Sequence, residues 1–188
     1  MTKVFIDGSA GTAGLRIHSR LEGRDDLELI TLPGEARKDP AARREALNSC
    51  DLAVLCLPDA ASREAVAMTA NPAVRVVDTS TAHRVAPGWA YGFPELSAAR
   101  REAIVSGARV ASPGCHAGGF IVLVQPLIEA GLLPSSAKLC CHSLTGSPGG
   151  GTGMIADSEA PDRDAKFAPA RPHRLAPAHH TPPQRQAT

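Results

Sequence analysis

Short apolar runs of strand length alternate with segments of helical period along most of this chain, an order that builds a parallel sheet with crossover helices. The pattern predicts a strand over residues 3–6, a helix over 11–21, a strand over 27–31 and a helix with a charged face over 40–47. Residues 51–58, DLAVLCLP, are apolar on both faces, as expected of a strand covered by helices on either side. A helix over 59–68 follows, with Asp59 or Ser62 as its cap, then a buried strand, VRVVDTS, over 74–80. ARVASPGC over 108–115 reads as a further strand, a helix over 118–130 follows despite Pro126, and residues 138–143 begin a strand of a second unit.

Beyond residue 160 the composition changes to Pro, Arg, His and Ala with hardly an apolar pair at regular spacing. Such a segment buries too little apolar area to offset its ordering entropy, so the tail is expected to be irregular and largely disordered.

The 188 residues suffice for a substantial core, and a formal net charge of +1 gives no electrostatic reason to expect a nucleic acid or a membrane surface as partner. A small molecule is the expected ligand. The N-terminus shows a strand pattern instead of a signal segment, and no apolar run approaches a membrane span of about 18 residues. The five cysteines form no regular disulfide framework, which points to a reducing cytoplasm. Cys50, Cys56, Cys140 and Cys141 read as core or surface residues, and the adjacent pair lacks metal-site spacing.

Three stretches carry candidate chemistry. In VFIDGSAGTAGLRI, Gly8, Gly11 and Gly14 follow a strand and open a helix, with Ser9, Ala10 and Thr12 between them. Glycines there serve a tight turn, close approach of backbone N–H groups to a pyrophosphate, and close packing of helix on sheet. The spacing differs from the usual GxGxxG, and a tight turn without a ligand fits the local pattern too. The second strand ends without the acidic residue that would bind the 2′-hydroxyl of NAD; Arg37 and Lys38 follow instead, suited to the 2′-phosphate of NADP(H) or to an ordinary solvated helix face.

In SPGCHAGGF, Cys115 stands at a helix start, where unpaired N–H groups favour a thiolate and an oxyanion, and glycines leave room for substrate. Nucleophile and small packing residue both fit that position. DTSTAHRVAPGWAYGFPEL puts Asp78, Ser80, Thr81, His83 and Arg84 just after a strand, where open sheets bind ligands. Arg84 is a candidate anion clamp or a loop arginine, and His83 reads better as structural. SLTGSPGGGTGMI clusters Ser147, Gly149 and Gly150 in a backbone that suits an anion or a long turn.

Taken in order, GSAGTAGLRI, LCLPDAASREAV, DTSTAHRVAPGWAYGFPEL, SPGCHAGGFIVLVQPLIEAGLL and SPGGGTGMIA resemble the short form of the N-acetyl-gamma-glutamyl-phosphate reductases of arginine biosynthesis, from residue 3 to about residue 159. The related aspartate-semialdehyde dehydrogenases are a more distant match. The resemblance implies an α/β architecture: a Rossmann-type doubly wound parallel sheet binding NADP over residues 1–114, then the start of an α+β substrate and dimerisation domain over 115–160, and the irregular tail 161–188. It further implies that Cys115 attacks the acyl phosphate to form a thioester, which hydride from NADPH reduces to N-acetyl-glutamate 5-semialdehyde. Pro58 would lie along the cofactor, Ser80 and Arg84 near substrate or phosphate, Ser147 with Gly149 and Gly150 near the nicotinamide, and the assembly would be a homo-oligomer.

The tail departs from that family. Its HKHLPE motif supplies an acid/base histidine; here the chain reads RLAPAHHTPPQRQAT, with His179 as the nearest counterpart and Pro182, Pro183 and Gln184 in place of the Pro-Glu ending. A frameshift or truncation in the coding sequence is the expected cause, with an incomplete second domain as its consequence. A dinucleotide-binding fragment without catalysis is therefore the alternative to an active reductase.

Overall fold

The structure is a computed structural model that describes residues 1–145, 147–160 and 171–172. It divides into two compact units, Met1–Gly114 and Cys115–Thr188. The first unit holds β1 (Thr2–Asp7), α1 (Thr12–Leu21), β2 (Leu27–Ile30), α2 (Pro40–Ser49), β3 (Leu52–Leu55), α3 (Asp59–Met68), β4 (Arg75–Asp78), β5 (Ala90–Tyr91), α4 (Ala98–Ser106) and β6 (Arg109–Ala111).

Six strands form one sheet in the order β2-β1-β3-β4-β6-β5, and every neighbouring pair is parallel. From β1 the chain moves outward to β2, then returns past β1 to build β3 and the rest on the other side. The carboxyl ends of β1 and β3 thus flank the point where strand order reverses, the place where open α/β sheets bind ligands.

Alternation along the central strands explains why both faces carry helices. Phe5, Ala53, Leu55 and Val76 point to one face and pack with Ala46 and Leu47 of α2 and Ala65 and Met68 of α3. Val4, Ile6 and Val54 point to the other and pack with Ile17 and Leu21 of α1. Burying each of the larger side chains among these contributes roughly 1.5–3 kcal/mol before conformational entropy is subtracted, and each alanine less. Local signals set the helix ends: Asp39 caps α2 by accepting from Ala41 N–H, with Pro40 in the first turn, and Ser97 caps α4 by accepting from Arg100 N–H. Asn48, on α2, donates to Met68 O and accepts from the N–H groups of Ala70 and Asn71, fastening the end of α3 to α2.

The second unit contains α5 (Cys115–Glu129), β7 (Leu144–Thr145), a 3-10 turn (Ser147–Gly150), α6 (Gly151–Glu159) and β8 (Arg171–Pro172). Helix α5 accommodates Pro126, buries Ala117 and Ile121, and exposes Val122, Leu123 and Leu127.

Several expectations are corrected. Residues 138–143 are not a strand; pairing begins only at Leu144, whose antiparallel partner is Pro172. A strand needs a partner for its backbone groups, and an apolar run does not provide one. Within the tail, Arg171–Pro172 forms β8, whose proline lacks the N–H that a longer ladder would use, and the remaining residues of 161–188 lie outside the described residues. The strand β5 and the helix α4 escaped the sequence pattern, and the strand predicted over 51–58 spans only Leu52–Leu55.

Candidate active site

The turn after β1 is shaped by two glycines that tolerate no side chain. Gly8 has φ +85°, and a Cβ there would sit 2.3 Å from the Cys56 carbonyl oxygen; a Cβ on Gly14 would sit 2.2 Å from the Gly8 carbonyl oxygen. Gly8 thereby brings the turn against the end of β3, and Gly14 brings α1 against the turn. Gly11 is different. It is the N-cap of α1, with no side-chain acceptor there, and a Cβ would meet only the Gly8 oxygen at 3.4 Å. The first N–H groups of α1 have no intrahelical acceptors and follow directly on the cavity-lining residues Gly8, Ser9 and Ala10, an order that fits a pyrophosphate.

A cavity of about 360 Å³ opens at this turn, lined by Asp7, Gly8, Ser9 and Ala10, by Leu32, Arg37, Lys38 and Arg43, and by Leu57 and Ala61. Of the residues expected to hold a dinucleotide it gathers Gly8, Ser9, Ala10, Arg37 and Lys38. Gly11, Thr12 and Gly14 shape the turn without lining the cavity, and Pro58 is the N-cap of α3 between two lining residues. Lys38 lies 3.3 Å from Glu35 in an exposed pair, which contributes at most about 1 kcal/mol and leaves the ammonium free to turn toward an anion. Sequence reasoning missed Asp7 and Arg43. Asp7 is buried, and its Oδ2 accepts from Arg43 Nε at 3.2 Å and Nη2 at 3.0 Å.

After β4 a second polar cluster forms around the buried carboxylate of Asp78. Ser80 Oγ donates to Asp78 Oδ2 at 2.7 Å, and His83 Nδ1 lies 2.6 Å from the same oxygen while its ring stacks on Trp89 at 4.2 Å. His83 is thus buried and held by Asp78 and Trp89. Thr81 donates from N–H and Oγ1 to Asp59 at the start of α3. Arg84 donates from Nε to Ser112 O and from Nη2 to Thr79 O, while Ser112 N–H donates to Asp78 O. Ser80 and Arg84 are therefore engaged with the protein itself, and Arg84 holds the backbone three residues before Cys115.

In the second unit Cys115 is exposed at the first residue of α5. It lines a cavity of about 560 Å³ together with His116, Gly119, Phe120 and Leu123 of α5, the segment Leu139–Leu144, and Gly149. His116 Nδ1 is hydrogen-bonded to Ser143 Oγ across its wall. Gly149 was expected beside the cofactor and lines this cavity; Gly150 is the N-cap of α6, and Ser147 begins the 3-10 turn. His116, His142, Cys140 and Cys141 were missed as cavity residues, although His116 directly follows Cys115. His179 lies outside the described residues.

The thiols differ in a testable way. Cys50 is buried and Cys56 half-buried, whereas Cys115, Cys140 and Cys141 are exposed. Burial pushes the Cys50 thiol up and that of Cys56 up to about 11, so near pH 8 these two hold fewer reactive thiolates than ordinary cysteines. A chromogenic disulfide reagent is expected to titrate three thiols rapidly and the other two only on unfolding. Five fast thiols in the folded protein would contradict the packing around Cys50 and Cys56.

No group of three or more metal-ligating side chains suited to a metal ion occurs among the described residues, and no helix among them is long and apolar enough to cross a membrane.

Comparison with known proteins agrees with the sheet and its turn. Residues 3–104 match the family model "Semialdehyde dehydrogenase, NAD binding domain". The chain is 50% identical over 184 residues to an N-acetyl-gamma-glutamyl-phosphate reductase of Burkholderia cenocepacia, covering 97% of this chain and 59% of that protein. It is 54% identical over 167 residues to N-acetyl-gamma-glutamyl-phosphate reductase 2 of Pseudomonas putida, covering 89% and 53%. The chain thus spans little more than half the length of these relatives. Among solved structures, aspartate semialdehyde dehydrogenase from Francisella tularensis shares the fold at a TM-score of 0.63 and 16% identity, covering 84% of this chain and 48% of that one. Aspartate semialdehyde dehydrogenase II from Vibrio cholerae gives 0.59 at 16% identity, covering 84% and 50%. With its glycine turn at the strand-order reversal and the match over residues 3–104, the chain belongs to the semialdehyde dehydrogenase family and carries that family's nicotinamide-dinucleotide-binding domain.

Proposed function

We propose that this chain provides the coenzyme site and the nucleophile for NADP-dependent reduction of N-acetyl-glutamyl 5-phosphate to N-acetyl-glutamate 5-semialdehyde. The observation that carries this reading is an exposed Cys115 opening α5 on a substrate-sized cavity, in a chain half identical to reductases of that name. The Cys115 sulfur attacks the acyl carbon, the C–O bond to phosphate breaks, and inorganic phosphate leaves a thioester on the protein. The N–H groups of the first turn of α5 are suited to hold the oxygen that becomes negative during the attack.

Bound coenzyme would supply the hydride that turns the thioester into the aldehyde. Gly8, Ser9, Ala10, Gly11, Thr12 and Gly14 would hold the pyrophosphate, with Pro58 alongside. Arg37 and Lys38, on the wall of the same cavity, would pair with a 2′-phosphate. Ser147, Gly149 and Gly150 complete the proposed coenzyme contacts, Ser80 and Arg84 the substrate contacts, and His179 the acid/base role. The partners on this reading are the acyl phosphate and phosphate, the assembly a homo-oligomer, and the setting the cytoplasm, where exposed thiols stay reduced.

Incubating the chain with N-acetyl-glutamyl phosphate and NADPH, and separately with aspartyl phosphate, tests the proposal. Semialdehyde from the acetylated substrate alone is the expected result. Because the chain spans little more than half of its relatives, NADPH binding without turnover of either substrate would instead establish a dinucleotide-binding fragment.

Coenzyme choice has its own test. Replacing Arg37 and Lys38 together by alanine removes two charge-assisted contacts, each worth about 1.5–3 kcal/mol when formed. NADPH affinity is expected to fall on the order of a hundredfold or more, most at low salt, while NADH affinity stays unchanged. Equal losses for the two coenzymes would move the 2′-phosphate site elsewhere.

A further inference from the structure

We propose that Cys115 and the Cys140–Cys141 pair form a reversible thiol–disulfide couple, by which a hydroperoxide converts the exposed nucleophile into a protected disulfide. The three exposed cysteines of the chain all line one cavity. The bond between His116 Nδ1 and Ser143 Oγ ties the residue after Cys115 to the segment just beyond Cys141. Residues 138–143 lie in neither helix nor strand, so bringing either cysteine to the Cα separation of about 4.4–6.8 Å that a disulfide needs breaks no ladder. Cys50 and Cys56 do not compete, because burial raises the pKa of both thiols.

The chemistry balances with a hydroperoxide as the only oxidant. The Cys115 sulfur takes one oxygen from ROOH, giving Cys115–SOH and releasing ROH. A thiol of the pair then attacks the Cys115 sulfur; the S–O bond breaks, the S–S bond forms, and the hydroxyl leaves with the thiol proton as water. Two thiols have lost two hydrogens and two electrons, and the hydroperoxide has been reduced to an alcohol and water. A dithiol reverses the step by exchange. Without a resolving thiol, a second and third oxygen would take Cys115 to sulfinic and sulfonic acids, which a dithiol does not reduce.

Hydrogen peroxide followed by peptide mapping tests this in the full 188-residue chain, with mass as the readout, so the outcome is independent of whether the chain turns over acyl phosphate. Trypsin separates residues 110–138, which hold Cys115, from residues 139–163, which hold Cys140 and Cys141. The expected product is these two peptides joined and lighter by two hydrogens, independent of protein concentration, with iodoacetamide labelling of Cys115 fully restored by dithiothreitol. In the Cys140→Ser, Cys141→Ser double variant, Cys115 is expected as sulfinic and sulfonic acid, with labelling lost beyond recovery. Over-oxidation of Cys115 in the parent at the rate of the double variant would overturn the proposal, as would a bond only between Cys140 and Cys141 or only between chains. If the double variant fails to fold, the linked peptide in the parent decides alone.

Discussion

Replacing Cys115 with serine is expected to lower semialdehyde formation by on the order of 10⁴-fold or more, since removal of a covalent nucleophile leaves only binding and oxyanion contacts. The same change is expected to leave NADPH affinity nearly unaltered, because Cys115 is not among the residues lining the coenzyme cavity and serine has nearly the volume of cysteine. A single-turnover measurement isolates the step. Without coenzyme, the parent chain is expected to release phosphate from the acyl phosphate in an amount equal to its active sites and then stop, with the acyl group on Cys115. The serine variant is expected to show no burst. A burst of equal size in the variant would remove Cys115 from the reaction and direct attention to His116 and His142 on the same cavity wall.

The second large effect concerns stability. Asp7 and Arg43 form an ion pair at 3.0 Å with side-chain exposures of only 4% and 10%. Arg43→Met is expected to destabilise the domain by about 3–5 kcal/mol, because it strands a buried carboxylate at the end of β1. Asp7→Asn combined with Arg43→Met is expected to recover most of that loss, as replacing both charges of a buried pair often does. Coenzyme affinity should follow the same order, since an uncompensated Asp7 on the cavity wall repels a pyrophosphate. Urea midpoints for the three proteins check the prediction; a single variant within about 1 kcal/mol of the parent would mean that the pair is solvated, like a surface ion pair.

The central strands and flanking helices were legible because their signals are local. Val4 to Ile6 and Ala53 to Leu55 are apolar at every position, as strands covered on both faces must be, and Asp39-Pro40 marks a helix start by its own chemistry. The glycine turn was legible for a related reason. At Gly8 and Gly14 any Cβ collides with backbone, and a constraint that strict leaves glycine in the sequence. The pair β5 and α4 was illegible because Ala90–Tyr91 is only two residues long and SAARREAIVSG buries none of its helical positions, so no period stands out. The strand expected over 138–143 failed for the opposite reason: its apolar run was visible, but strands are made by partners.

The candidate site divides in the same way. Residue type and position along the chain were enough to single out Cys115, the Gly8–Gly14 turn, and Arg37 with Lys38, because each belongs to a local strand-to-helix or loop pattern. Only the tertiary structure joined Arg37 and Lys38 to the glycine turn in one cavity, drew Asp7 and Arg43 into a pair across 36 residues, turned Arg84 onto the Ser112 carbonyl, and set Cys140 and Cys141 on the wall that Cys115 faces. Helix and turn signals arise between residues a few positions apart and are written in the sequence. Ion pairs and cavities arise between groups that meet only once the sheet has set its strand order, and that meeting is a property of the fold.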